Sequence, residues 1–225
     1  EGSEQRVLRN SGCKRAAIVQ NVRYHPPKAI SVPEKRPVVV GFGPAGMFAA
    51  LILSLAGLKP LVLERGEDAA TRHKKVEEFF SGGKLDLRSN VQFGEGGAGT
   101  FSDGKLNTGV NNIRIGWILE QFVKAGARED ILYDAKPHIG TDVLLEVVQN
   151  LRKRIIDLGG EIRFSTQVTR ILIENGCVGG VETEHGEIIA SDHVILAVGH
   201  SARDTFAMLE DLRIPMEPKP FSMGV

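Results

Sequence analysis

The residues best suited to chemistry in this sequence are three glycines and one glutamate. Gly41, Gly43 and Gly46 have the spacing G-x-G-x-x-G and directly follow the apolar run 38–40. The first glycine permits a tight turn, the second lets a pyrophosphate approach the backbone, and the third allows a helix to pack closely on the strand. A second apolar run ends in Glu64, at the distance where an acidic side chain holds ribose hydroxyls. This pattern predicts a dinucleotide site.

The elements that must position these residues are a strand over 38–40, a helix over 47–58 and a second strand over 60–64. β-Branched apolar runs bounded by glycine predict buried strands. The N-terminus of the helix offers N–H groups and a positive dipole end to phosphates. An ordinary βαβ unit would not explain the acid at the end of the second strand. The negative charge of Glu64 also disfavours a 2′-phosphate at this site.

A second glycine-rich segment runs from residue 90 to residue 106, with five glycines between Gly94 and Gly104. It has neither helical nor strand periodicity, and it mixes glycine with aromatic and charged side chains. Such a loop can lay backbone N–H groups against an anion or a planar ring. The alternative interpretation is a flexible surface linker.

The overall composition limits the class of protein. Of 225 residues, 42% are hydrophobic and 25% charged, with 28 basic and 28 acidic side chains, which is typical of a globular protein. This balance gives no basic field to attract nucleic acid or an acidic membrane, and no apolar run is long enough to span a bilayer. Cys13 and Cys177 form no C-x-x-C pair and no zinc site, so we expect two free thiols, no bound metal and a reducing cytoplasm.

The rest of the chain alternates helical and strand patterns. We expect residues 1–36 to be an N-terminal extension with one strand over 16–24 and a proline-rich linker, and residues 37–225 to form one incomplete domain. Helices are predicted over 68–80, over 112–125, from 141 to 158 and over 201–212; strands over 161–164, 167–173, 178–184, 186–190, 193–199 and at the chain end, 219–225. Thr141 or Asp142, and Ser201, are candidate helix caps. The polar residues of the helix over 68–80 are expected to form mostly a solvated face, namely Thr71, Arg72, Lys74, Lys75, Glu77 and Glu78. Trp117 is expected to pack rather than bind ligand, and a structural role is favoured for His138 over a catalytic one.

Taken together, these motifs resemble the FAD-binding half of glutathione-reductase-type flavoproteins. Four segments, 41–46, 91–106, 136–142 and 199–206, are similar to a narrower group, the NAD(FAD)-utilising dehydrogenases. The resemblance covers residues 36–225. Members of that group are much longer, so the chain resembles a fragment of a larger flavoprotein.

The resemblance implies an α/β fold: a Rossmann-like three-layer FAD-binding domain with a central parallel sheet and a small antiparallel β-meander. The sheet would contain the strands near 38, 61, 162 and 194. The implied function is FAD-dependent hydride transfer through a non-covalently bound flavin, with NADH or NADPH as reductant and a small-molecule substrate. Two alternatives stay open: an FAD-binding regulatory or RNA-modification-associated protein without redox turnover, and an NAD-binding dehydrogenase.

The candidate site residues follow from the motifs and the resemblance together. Arg65 lies beside the ribose position and could rest against the adenosine or be an ordinary surface arginine. Lys105 and His200 are the candidates for a catalytic role. The candidate cofactor-binding residues are Gly41, Gly43, Pro44, Ala45, Gly46, Glu64, Arg65, Gly96, Gly97, Ala98, Gly99, Thr100, Ser102, Lys105, Val168, Ala197 and Gly199.

Overall fold

A computed structural model describes residues 2–13, 17, 23–102, 104–106, 108–134 and 136–219. The α-helices in these residues are α1 (Gly2–Asn10), α2 (Pro44–Leu55), α3 (Ala69–Phe80), α4 (Arg114–Lys124), α5 (Thr141–Asp157) and α6 (Arg203–Asp211). The strands are β1 (Val38–Val40), β2 (Leu61–Leu63), β3 (Glu161–Arg163), β4 (Val168–Glu174), β5 (Cys177–Thr183), β6 (Ile188–Ala190) and β7 (Val194–Leu196). Short 3₁₀ helices cover Gly97–Phe101 and Glu129–Leu132.

The central sheet is parallel and has the strand order β3-β2-β1-β7. Val38 of β1 pairs with Leu61 of β2 on one side and with Val194 of β7 on the other. The three residues of β1 are buried, as expected for a strand that is covered on both faces of a parallel sheet. The four strands predicted for this sheet are therefore confirmed.

Alternating side chains of β1 and β2 supply two separate cores, because successive residues of a strand point to opposite faces. Val39 and Val62 pack in one cluster with residues of α2 and α5, such as Leu51 and Leu151. The neighbouring residues Val38, Val40, Leu61 and Leu63 pack on the other face in a cluster with Val168 and Val181 of the second sheet. This gives the three-layer α/β arrangement that the sequence predicted.

The second sheet is the antiparallel meander β4-β5-β6. Its first two strands are joined at Asn175 and Gly176, which both have positive φ, +53° and +78°. Such angles match the turn of a two-residue hairpin, so the hairpin predicted around these residues is confirmed.

The structure corrects several predicted helix ends. Helix α2 begins at Pro44 rather than residue 47, because proline suits the first helical turn. Neither Thr141 nor Asp142 caps α5: its N-cap is Gly140, and the Thr141 hydroxyl donates instead to the carbonyl of Ser102. Helix α6 begins at Arg203 after Ala202, so Ser201 is not its cap.

The N-terminal region adds a helix, α1, that the sequence did not predict. Most residues of the strands expected over 16–24 and over 219–225 lie outside the described residues. Tyr24 packs edge-on against Trp117, with ring centroids 5.7 Å apart, and Phe48 contacts the same indole. Trp117 therefore packs between elements as predicted. Among the described residues, none of the helices has the length and apolar character needed to cross a membrane.

Candidate functional site

A cavity of about 560 Å³ lies at the carboxyl ends of β1, β2 and β7. Its lining includes Val40, Leu63 and Leu196, which end these three strands. In open α/β sheets, ligands bind outside the carboxyl ends of the strands. The predicted dinucleotide motif therefore lies where this fold places its ligands.

The first glycine turn is packed too tightly for side chains. The Gly41 N–H donates to the Leu63 carbonyl at 2.8 Å, and a Cβ on Gly41 would lie 2.5 Å from the carbonyl oxygen of Ala197. A Cβ on Gly46 would overlap the carbonyl oxygen of Gly41. Gly41 and Gly46 thus hold β1, α2 and the end of β7 together, as the motif predicts.

The N-terminus of α2 faces the cavity through Gly43, Pro44 and Ala45. Its N-cap is Gly43, and no side chain makes a capping hydrogen bond there. The first N–H groups of a helix lack intrahelical partners, and the dipole makes this end positive. The end of α2 is consequently suited to phosphate oxygens.

Glu64 is 4% exposed, and its carboxylate binds backbone from three segments. Oε2 accepts the N–H of Phe42 at 2.6 Å, while Oε1 accepts those of Gly66 at 2.9 Å and Gly94 at 3.1 Å. A carboxylate has about four acceptor positions, so one position remains, on Oε2. Glu64 can accept one ribose hydroxyl while it also holds the surrounding turns in place.

We call residues 94–106 the glycine loop; it is packed against the first glycine turn. The Gly96 N–H donates to the Phe42 carbonyl at 2.9 Å, and a Cβ on Gly43 would lie 3.7 Å from the Cα of Gly97. Glu95 is fully buried. Since the start of this loop is fixed by buried contacts, the flexible-linker alternative does not describe it.

A buried charge cluster anchors the start of the glycine loop. Arg72 of α3 is fully buried, and burial lowers its pKa to about 10. Oε2 of Glu95 accepts from the Ala69 N–H at 2.7 Å and from Arg152 of α5 at 3.1 Å, while its Oε1 has no hydrogen-bond partner among the described residues. Burial raises the pKa of Glu95 to about 7. The expectation that Arg72 lies on a solvated face is wrong, because its charge pairs with loop carbonyls inside the protein.

Many of the candidate residues line the cavity, and others lie away from it. The described lining contains the candidates Gly41, Gly43, Pro44, Ala45, Glu64, Arg65, Gly97, Ala98, Val168, Ala197, Gly199 and His200. The candidates outside that lining are Gly46, Gly96, Gly99, Thr100, Ser102 and Lys105. Gly46 and Gly96 act instead through the backbone packing described above.

The two candidate catalytic residues occupy different places. Lys105 is exposed and pairs with His138 in an isolated antiparallel β-bridge, so both residues belong to the framework of the loop. His200 is exposed at the cavity wall after Gly199, with its Nε2 3.5 Å from the Ser201 hydroxyl. Of the two, His200 belongs to the described lining of the cavity and Lys105 does not.

Several residues of the cavity wall were not named as individual site candidates, although three of them lie in the glycine-rich segment 90–106, for which contact with a ligand was predicted. They are Gln92, Phe93, Thr166, Ser201, Phe206 and Leu209, together with strand-end residues and Gly94. Gln92 and Phe93 directly precede the glycine loop, and this position was the feature of the sequence that could have identified them as cavity residues. Phe206 and Leu209 belong to α6, and nothing local in the sequence shows that this helix closes the cavity.

A family model matches part of this chain. Residues 144–223 match the family model DAO, FAD dependent oxidoreductase. The match covers less than half of the chain and supports the FAD cofactor expected from the sequence.

Two relatives show how much of a longer protein this chain represents. An uncharacterized protein of Clostridium beijerinckii is 49% identical over 190 residues, which cover 84% of this chain and 36% of that protein. Sarcosine oxidase subunit beta of Rhodobacter capsulatus is 24% identical, over 90% of this chain and 60% of the subunit. The chain thus spans about a third and three fifths of these relatives' lengths.

Solved structures support the fold. THI4 of Thermovibrio ammonificans superposes with a TM-score of 0.54 at 16% identity, over 80% of this chain and 64% of that one. Glycine oxidase of Bacillus cereus superposes with a TM-score of 0.50 at 17% identity, over 79% of this chain and 58% of that one. At such identities the likeness shows the fold alone, a Rossmann-like α/β domain.

The residues around the cavity fit FAD. The uncapped end of α2 can donate to phosphate oxygens, and no side chain of Gly43 or Gly97 covers the adjoining stretch of cavity wall, where the two backbones pack together. Glu64 retains one acceptor position for a ribose hydroxyl. The donor and acceptor set of the cavity therefore matches the phosphate and ribose groups of a dinucleotide.

Proposed function

We propose that this chain is the FAD-binding part of a longer oxidoreductase of the glutathione-reductase type, and that the cavity holds the ADP half of FAD non-covalently. The observation that carries the proposal is the meeting of two features at one cavity: the uncapped N-terminus of α2 and the spare acceptor of Glu64. The first suits phosphate, the second suits ribose, and a dinucleotide contains both.

Each group of residues has a defined task in this proposal. Ala45 would donate its backbone N–H to a phosphate oxygen, and Oε2 of Glu64 would accept from the ribose. Gly43 and Gly97 would keep side chains away from the pyrophosphate. FAD, when bound, supplies the hydride chemistry, and the protein supplies position and environment. His200 is the proposed proton-transfer residue, since it lies at the cavity wall.

The proposal extends to the reaction of the whole protein. A small-molecule substrate would exchange a hydride with the flavin, and NADH or NADPH would serve as reductant. We propose the cytoplasm as the compartment, because the exposed Cys13 and Cys177 are both free.

The first test is the visible absorbance of the full-length protein, followed by anaerobic addition of NADH and of NADPH. Oxidised-flavin peaks that bleach with one of them support an oxidoreductase and identify its reductant. Flavin that neither nucleotide nor any tested substrate reduces would support the binding or regulatory alternative. Uptake of NAD but not FAD would indicate an NAD-binding dehydrogenase instead.

The second test is a pair of variants in the full-length protein. In Glu64→Gln only one side-chain oxygen can accept hydrogen bonds, whereas the carboxylate has two. We therefore expect the dissociation constant for FAD to rise at least about tenfold. Glu210→Gln changes an exposed residue of α6 and should bind FAD as the unmodified protein does. Equal affinity in Glu64→Gln and the unmodified protein would contradict the assigned site.

A further inference from the structure

Arg65, the residue after Glu64, is held by an extensive set of partners. Its side chain is 14% exposed. Nη1 donates to Oδ1 of Asp204 at 3.1 Å, and Nη2 donates to Oδ2 at 3.0 Å and to the Thr205 hydroxyl at 3.3 Å. This is the bidentate arrangement that gives an arginine–carboxylate pair geometric specificity.

The flat face of the same guanidinium is also fixed. Its carbon lies 4.6 Å from the ring centroid of Phe93, in a cation–π contact. Asp204 is oriented in turn by Gln167, whose Nε2 donates to Oδ2 at 2.8 Å. Nε of Arg65 has no hydrogen-bond partner among the described residues.

These partners come from segments that are distant in the chain and come together beside the cavity. Arg65 follows β2, Phe93 precedes the glycine loop, and Asp204 lies in the first turn of α6. Helix α6 also contributes Phe206 and Leu209 to the lining. The Arg65–Asp204 pair therefore ties α6 to the end of the cavity that Glu64 occupies.

An ion pair of this kind is not explained by stability alone. The side chain of Asp204 is 44% exposed, so water screens its pair with Arg65 and limits what that pair contributes to folding. A planar cation held flat at a cavity wall, next to a ribose acceptor, has the chemistry to pack against a purine ring. Lysine would lack both the planar face and the two-pronged geometry.

Resting on the proposed function, we propose that Asp204 is a positioning residue for the adenosine end of the dinucleotide. It fixes Arg65 on Phe93 and holds α6 against the cavity, so that the wall facing the purine is formed before the ligand arrives. Binding then costs less, because fewer side chains must be ordered on association. Asp204 acts through Arg65 and α6, without contacting the flavin.

The test compares Asp204→Asn with Asp211→Asn in the full-length protein stripped of flavin. Asp211 ends the same helix and is exposed, so it controls for loss of a negative charge on α6. We expect Asp204→Asn to weaken binding of FAD and of ADP by a similar factor, about tenfold, as for a lost charge-assisted hydrogen bond. Asp211→Asn should bind both as the unmodified protein does.

A second variant and a stability measurement separate positioning from folding. Arg65→Lys keeps the charge but loses the bidentate geometry and the planar face, so it should weaken binding of FAD and of ADP as Asp204→Asn does. Asp204→Glu keeps the carboxylate, so it should bind both ligands more tightly than Asp204→Asn. The midpoint of thermal unfolding of the flavin-free protein should change little in Asp204→Asn. A fall in ligand affinity accompanied by an equally large loss of stability would point to a structural role and overturn the proposal.

The remaining outcomes also decide the question. Unchanged affinity for both ligands in Asp204→Asn and Arg65→Lys would overturn the proposal. Weaker binding of FAD with unchanged binding of ADP would also overturn it, because the effect would then lie away from the adenosine end. An unmodified protein that binds neither FAD nor ADP would overturn the proposed function itself, which is distinguishable from a loss confined to the variants.

Discussion

Nη1 of Arg72 donates to the backbone carbonyl of Glu95 at 2.6 Å, and both residues are fully buried. The same guanidinium donates from Nε to the Asn90 carbonyl at 2.7 Å and from Nη2 to the Val91 carbonyl at 2.8 Å. The centroid of the Phe101 ring lies 4.6 Å from the guanidinium carbon of Arg72. One side chain of α3 therefore determines the backbone path that leads into the glycine loop.

We expect Arg72→Met to lower the free energy of unfolding by about 3–5 kcal/mol, because it leaves one buried and two partly buried carbonyls without their donor. Urea unfolding followed by circular dichroism measures this. Lys74→Met, an exposed position on the same helix, should stay within about 0.5 kcal/mol of the unmodified protein. Equal effects of the two substitutions would contradict the role of Arg72.

Glu95 should make stability depend on pH. Burial raises its folded-state pKa to about 7, from an ordinary value of 4.5, against the opposing effect of Arg152. Because the folded-state pKa is the higher one, its contribution to stability is complete below pH 4.5 and is lost as the pH rises through 7.

The pH effect is measured as the difference in unfolding free energy between the unmodified protein and Glu95→Gln. Glutamine does not titrate, so this difference should fall by about 2–3 kcal/mol between pH 5 and pH 8. A difference that stays constant would show that Glu95 is ionised beside Arg152 throughout this range.

Gly97→Ala should weaken FAD binding at least about tenfold by disturbing the backbone approach at Gly43. Gly97 has φ of +63°, and its Cβ would lie 3.2 Å from the Cα of Gly43 and from Cδ of Pro44. Gly99→Ala, where a Cβ meets nothing within 4 Å, is the matched control. Flavin fluorescence titration compares them, and equal affinities would show that the Gly43–Gly97 contact is not critical.

Gly41→Ala should destabilise the sheet more than Gly57→Ala does. Both glycines have positive φ, +96° and +81°, but only the Gly41 Cβ meets backbone, 2.5 Å from the Ala197 carbonyl oxygen. The left-handed conformation alone costs about 1–2 kcal/mol, and we expect the clash to add about 2 kcal/mol or more at Gly41. Thermal or urea unfolding would contradict this if both variants lost the same stability.

The sequence alone determined the parallel sheet, the meander and the dinucleotide turn. These features depend on short contiguous patterns: a β-branched run for β1, an apolar run for β2, an Asn-Gly turn between β4 and β5, and the glycine spacing from 41 to 46. Each of these sets local backbone geometry through residues that are neighbours in the chain. For that reason a dinucleotide site could be predicted before the fold was known, whereas the choice of FAD came from the family resemblance.

Only the tertiary structure decided which polar side chains are buried and what they bind. Arg72 lies among exposed polar residues of α3 and has no local mark that distinguishes it from Lys74. The partners of Arg65 lie 28 and 139 residues along the chain, at Phe93 and Asp204. Burial and charge pairing depend on segments that approach one another only after folding, so helical periodicity and motif spacing do not contain this information.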